Sequence, residues 1–132
     1  MADPELTTLE VACMEGDLEQ LNTLLEDPSV DPSVNDNLPI RKAAENGHLD
    51  IVTRLLQDPR VDPSARQNYA LCVAAELGQT DIVIVLLHNS RVNPADDDNY
   101  ALRFASDNGH LYIVNLLLQQ PGVDLAADHI IA

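Results

Sequence analysis

The stretch Asn68–Leu87, NYALCVAAELGQTDIVIVLL, continued by His88–Asp98, HNSRVNPADDD, is written again on either side of itself. Setting Gly78 over its counterparts gives Gly16, Gly47, Gly78 and Gly109, each 31 residues from the next without a gap. The same register superposes Ala12, Ala43, Ala74 and Ala105. It also aligns the pairs Leu24-Leu25, Leu55-Leu56, Leu86-Leu87 and Leu117-Leu118, and the valines Val30, Val61, Val92 and Val123. A fixed period of this size marks a solenoid, in which a unit too small to bury its own apolar side must stack on the next. The expectation is one domain over residues 1–132, with repeats at about 6–36, 37–67, 68–98 and 99–129.

Outward from the glycines, each unit reads as a helix, a tight turn, an antiparallel helix and a return loop. In the second unit Asn37 is an expected N-cap and Pro39 falls in the first turn, where its missing N–H is harmless. Ile40, Ala43 and Ala44 follow at helical spacing, and Gly47 closes the helix in a left-handed conformation. Leu49, Val52, Leu55 and Leu56 then share one face of a second helix, which Asp58-Pro59 stops. Val61 anchors the return loop. The fold class is therefore all-α, a solenoid of four stacked helix-turn-helix repeats with short connecting loops.

The first unit puts Gln20 where the later ones have Ile51, Ile82 and Ile113, as suits a terminal layer facing water. The fourth has no matching polar substitution, since Leu116 and Leu117 continue its apolar run. With Ile130 and Ile131 near the C-terminus, that end is expected either to continue into a longer array or to be covered by a partner or a second copy.

The chain has 132 residues, of which 45% are hydrophobic and 3% aromatic. It can bury a core, and that core must be aliphatic. Against 22 Asp and Glu stand 7 Lys and Arg, a formal charge of −15. Such a surface opposes binding to phosphate backbones and anionic lipid heads, so neither nucleic acid nor a membrane is an expected partner. Cys13 and Cys72 occupy different places in the repeat and form no disulfide framework. With no basic-then-apolar leader and no run of about 18 apolar residues, the expected setting is intracellular, cytoplasmic or nuclear.

AAENGHLDIVTRLL (Ala43–Leu56), FASDNGHLYIVNLLL (Phe104–Leu118) and, more loosely, AAELGQTDIVIVLL (Ala74–Leu87) resemble the ankyrin repeat, and the resemblance covers nearly the whole chain. Two features depart from it. The family's Thr-Pro-Leu-His opening is replaced by LPIR (Leu38–Arg41), YALC (Tyr69–Cys72) and YALR (Tyr100–Arg103). The period is 31 rather than 33, the loss falling in the return loop, DPRVDPSARQ in the second unit, so short fingers without a regular β-hairpin are expected.

The resemblance implies a non-catalytic module that binds a protein or peptide partner on a concave face lined by loops and first helices. No HExxH, GxSxG or glycine-rich phosphate loop is present, and neither an enzyme nor a cofactor is expected. His48 and His110 lie two periods apart without the further ligands of a metal site, so a structural role between repeats is expected of both. Asp96-Asp97-Asp98 lacks the glycine and later glutamate of a calcium loop. The candidate protein-binding residues are Glu45, Asn46, Tyr69, Glu76, Leu77, Tyr100, Arg103, Asp107 and Asn108. Glu15, Glu45, Glu76 and Asp107 supply one carboxylate per layer, which points to a partner of basic character. Leu77 stands where its counterparts are Glu15, Asn46 and Asn108, either as a docking contact or packed beneath the adjacent loop. Tyr69 and Tyr100 fit either an interface or packing on the neighbouring repeat. A rival expectation is a structural segment that is monomeric or weakly self-associating through its C-terminal repeat.

Overall fold

A computed structural model describes residues 7–123. Ile130, Ile131 and His129 lie outside the described residues. Eight α-helices follow one another: α1 (Thr8–Glu15), α2 (Leu18–Leu25), α3 (Val34–Glu45), α4 (Leu49–Leu56), α5 (Ala65–Leu77), α6 (Thr80–Leu87), α7 (Asp96–Asp107) and α8 (Leu111–Leu118). Among the described residues there is no strand. The odd-numbered helices form one row and the even-numbered a second, each helix touching its counterpart in the next repeat and its partner within the repeat.

The alternation of small and large residues explains the two rows. Ala43, Ala44, Ala74, Ala75 and Ala105 are fully buried, which lets the first helices approach closely. The second helices supply the bulk: Leu21, Ile51, Leu55, Ile82, Leu86, Ile113 and Leu117 are buried to 2% exposure or less. Each such side chain is worth about 1.5–3 kcal/mol of transfer free energy. Gln20, in the isoleucine column, is only half-buried.

The return loops are built from repeated Asx turns, in which a short polar side chain accepts the N–H two residues on. Asp27 accepts from Ser29, Asp31 from Ser33, Asp58 from Arg60, Asp62 from Ser64, Asn89 from Arg91 and Asn93 from Ala95, at 2.9–3.1 Å. Val61 and Val92, between two such turns, point into the core. Two tight turns per loop leave no residues for a hairpin, which accounts for the shortened period.

The loop does not enter the first helix through a side-chain cap at Asn37, as the sequence had implied. Asn35, Asp36 and Asn37 all have φ between 54° and 60°, and Arg66–Asn68 and Asp97–Asn99 repeat this left-handed turn. Right-handed helix begins only beyond it. Left-handed backbone costs an L-residue about 1–2 kcal/mol, least for Asn and Asp. Instead of capping its own helix, Asn37 Oδ1 accepts the backbone N–H of Asp62 at 2.8 Å, and Asn68 Oδ1 that of Asn93 at 3.0 Å. The asparagine thus ties the turn that opens a repeat to the return loop that closes it. Asn99 Oδ1 is buried and has no hydrogen-bond partner among the described residues.

A second tie runs the opposite way. His48 Nε2 lies 2.9 Å from the carbonyl oxygen of Met14, and His110 Nε2 2.9 Å from that of Glu76. A carbonyl only accepts, so Nε2 carries the proton and donates. These are the structural roles between repeats that the Gly-His pairs imply.

Candidate functional site

The face opposite the second helices is formed by the left-handed turns and the outward sides of α3, α5 and α7. Glu15, Glu45 and Asp107 are the last residues of α1, α3 and α7, and Glu76 is the last but one of α5. The carbonyl ends of helices carry partial negative charge, so a carboxylate there works against helix stability. Glu45 is paired with Lys42 at 3.1 Å. Among the described residues neither Glu76 nor Asp107 has a salt bridge.

The other candidates divide into two kinds. Asn46 and Asn108 turn their side-chain amides back onto their own helices, donating to the carbonyls of Lys42 and Phe104 at 2.8 Å. Those donors serve helix ends. Leu77 is 49% exposed at the end of α5. Tyr69 and Tyr100 are half-buried on adjacent layers. Burial, followed by the charge of Glu45, pushes the Tyr69 phenol above its usual pKa. Tyr100 stacks on Phe104 with ring centroids 4.1 Å apart.

The arginines at the start of the first helices have a role that residue type alone did not announce. Arg41 donates from Nε to Asp36 O (3.1 Å) and from Nη2 to Asn35 O (3.0 Å). Arg103 does the same to Asp98 O (3.3 Å) and Asp97 O (3.4 Å). Each guanidinium thereby gathers carbonyls of its own left-handed turn while lying over a tyrosine: Arg41 Cζ is 5.8 Å from the Tyr69 centroid, and Arg103 Cζ 5.2 Å from that of Tyr100. The column reads Glu10, Arg41, Cys72, Arg103. Glu10, wholly buried, accepts from Thr7 N–H and the Asn35 amide, both at 2.7 Å.

At Cys72 the column breaks, and a cavity of about 180 Å³ opens beside it, bordered by Tyr69, Glu76, Asp97 and Tyr100 among others. Three of the sequence candidates therefore meet at one place. Burial, with Asp97 and Asp96 nearby, pushes the Cys72 thiol up to about 12, so it stays protonated and is a poor nucleophile. The irregular column was the available signal for this cavity.

Among the described residues, no group of three or more His, Cys, Asp and Glu is arranged to hold a metal ion, and no helix is long and apolar enough to cross a membrane. A family model described as ankyrin repeats, in three copies, matches residues 9–96 and again 40–128. A search of curated proteins found no match to this chain. Ankyrin repeats are generally non-catalytic modules for protein–protein interaction. Two overlapping matches, the stacked helix pairs and the Gly-His ties lead to one assignment: the chain belongs to the ankyrin-repeat family.

Proposed function

We propose that this protein binds a protein or peptide partner of basic character on the face formed by its first helices and left-handed turns. One observation carries the proposal: in all four repeats a carboxylate, Glu15, Glu45, Glu76 or Asp107, sits at the carbonyl end of the first helix. Helix stability disfavours that placement, whereas a cationic ligand is drawn to it. Rigid display across layers, with Leu77 and the two tyrosines as further contacts, is the mechanism. The test is titration of a captured partner against E45Q/E76Q/D107N at several salt concentrations. A loss of about tenfold or more with a flatter salt dependence is expected. Unchanged affinity and salt slope would overturn the proposal.

A second proposal, self-association through the fourth repeat, is favoured by Leu111 and Tyr112, 71% and 62% exposed at the start of α8. The exposed apolar residues here are these two rather than Leu117, which is fully buried. Light scattering tests it, and a strict monomer at high concentration would refute it.

A further inference from the structure

We infer that the cavity beside Cys72 is a receptor for one arginine side chain of the partner, its guanidinium entering the place that the chain's own arginines occupy in the second and fourth repeats. The inference rests on the partner-binding proposal above and specifies one contact within it.

The chain itself supplies the template. In the second repeat Arg41 reaches the carbonyls of Asn35 and Asp36 and covers Tyr69 of the next layer. Moving every residue one period onward replaces Arg41 by Cys72, those carbonyls by the ones of Arg66 and Gln67, and Tyr69 by Tyr100. The turn keeps its conformation, since Arg66 and Gln67 have φ of 57° and ψ of 49° and 46°, against 54° to 60° and 45° to 49° for Asn35 and Asp36. The acceptors are thus present without their guanidinium, while Tyr100, which borders the cavity, already lies under Arg103 and against Phe104. The Cys72 Sγ stands 4.0 Å from Gln67 O as the weak substitute. The cavity of about 180 Å³ exceeds several times the roughly 30 Å³ of a water molecule, enough for a planar guanidinium.

Charge has changed in step. Lys42, which pairs with Glu45 in the second repeat, becomes Val73, so Glu76 has no salt bridge among the described residues. Arg66, whose charge opposes that of Arg41, becomes Asp97 in the next layer. One change runs the other way, Asp36 to Gln67. Three cations stand near the cavity, each engaged: Arg66 with Asp36 at 2.6 Å, Arg103 with the carbonyls of Asp97 and Asp98 and the Tyr100 ring, and Arg41 with the carbonyls of Asn35 and Asp36 and the Tyr69 ring. An incoming arginine therefore meets two carbonyls and the Glu76 and Asp97 carboxylates, a set that a planar fork of donors uses better than an ammonium does.

The experiment is a heteronuclear NMR titration of the full chain with the capped tripeptides Gly-Arg-Gly, Gly-Lys-Gly and Gly-citrulline-Gly. Saturable shifts at Gln67, Cys72, Asp97 and Tyr100 are expected with arginine, weaker binding with lysine, and none with the isosteric, uncharged citrulline. C72R, which fills the cavity with the chain's own guanidinium as at Arg41 and Arg103, should stay folded and lose about tenfold or more in affinity. D97N, a change at an exposed position, should weaken binding about threefold and serves if C72R does not fold. Equal binding of arginine and citrulline, or undiminished binding by folded C72R or by D97N, would overturn the inference. If arginine peptides fail here while E45Q/E76Q/D107N still weakens the captured partner, this receptor is wrong and the broader proposal stands. If both are unaffected, both fall.

Discussion

The His110 ring donates to the Glu76 carbonyl at 2.9 Å while covering Gly78 so closely that a Cβ there would lie 2.7 Å from Cε1. Gly78 is thus required twice, by its φ of 75° and by the ring of the next layer. Gly109 shares the φ, at 73°, but among the described residues nothing lies within 4 Å of its Cβ direction. Gly109→Ala should cost only the left-handed penalty, about 1–2 kcal/mol. Gly78→Ala should cost about 1 kcal/mol more for the displaced ring and its hydrogen bond. Urea unfolding of both variants measures the difference, and equal losses would refute the ring's role.

Asn68 is tied at both ends of its amide to the segment that leads into α7, accepting from Asn93 N–H and donating to Asp96 at 2.8 Å. Glycine there keeps the left-handed backbone and removes only the ties. Asn68→Gly should destabilise by about 1–3 kcal/mol. Thermal melts showing no loss would contradict the importance of these ties.

Much of this fold was legible because the period aligned chemically identical residues: the glycines, the Gly-His pairs and the leucines all sit where a common spacing puts them. The left-handed turns were not. Asn35-Asp36-Asn37, Arg66-Gln67-Asn68 and Asp97-Asp98-Asn99 share only their last residue, and residue type does not reveal the sign of φ. An asparagine before a proline-containing helix start looks like a cap until its side chain is seen reaching the next loop. At the candidate site, Tyr69, Glu76 and Tyr100 were readable as a shared register. The cavity joining them depends on a missing guanidinium, which no single residue displays.

Acid should loosen the return loops. The hydroxyl of Ser64 first, and then its N–H, hold Asp62 below the usual carboxylate pKa, and Ser33 does the same for Asp31. A pKa depressed in the folded state gives stability that is present above the unfolded value of 3.8 and lost as pH falls through the folded one. The double variant S33A/S64A should be less stable than the parent near neutrality, with the gap closing below about pH 4. A gap independent of pH would show that the serines act otherwise than through these carboxylates.

Layers held only by their neighbours should open from the ends. Leu86 and Leu117 are both fully buried, and truncating either to alanine costs about 2–5 kcal/mol locally. Leu117→Ala should accelerate amide exchange in α7 and α8 while leaving α3–α5 protected, whereas Leu86→Ala should weaken the whole array. Uniform acceleration in Leu117→Ala would refute graded opening.

The ties between layers are written in relative addresses. The histidine of each Gly-His pair reaches 34 residues back, from His48 to Met14 and from His110 to Glu76. The asparagines that open the second and third repeats reach 25 residues forward, from Asn37 to Asp62 and from Asn68 to Asn93. Nothing in such a scheme refers to an absolute position, so excising one whole period, such as residues 37–67, would join Asp36 to Asn68 with the remaining offsets intact. The chain's length is in that sense a count of copies, and its individuality resides in the few columns, above all that of Cys72, where one copy declines to repeat the others.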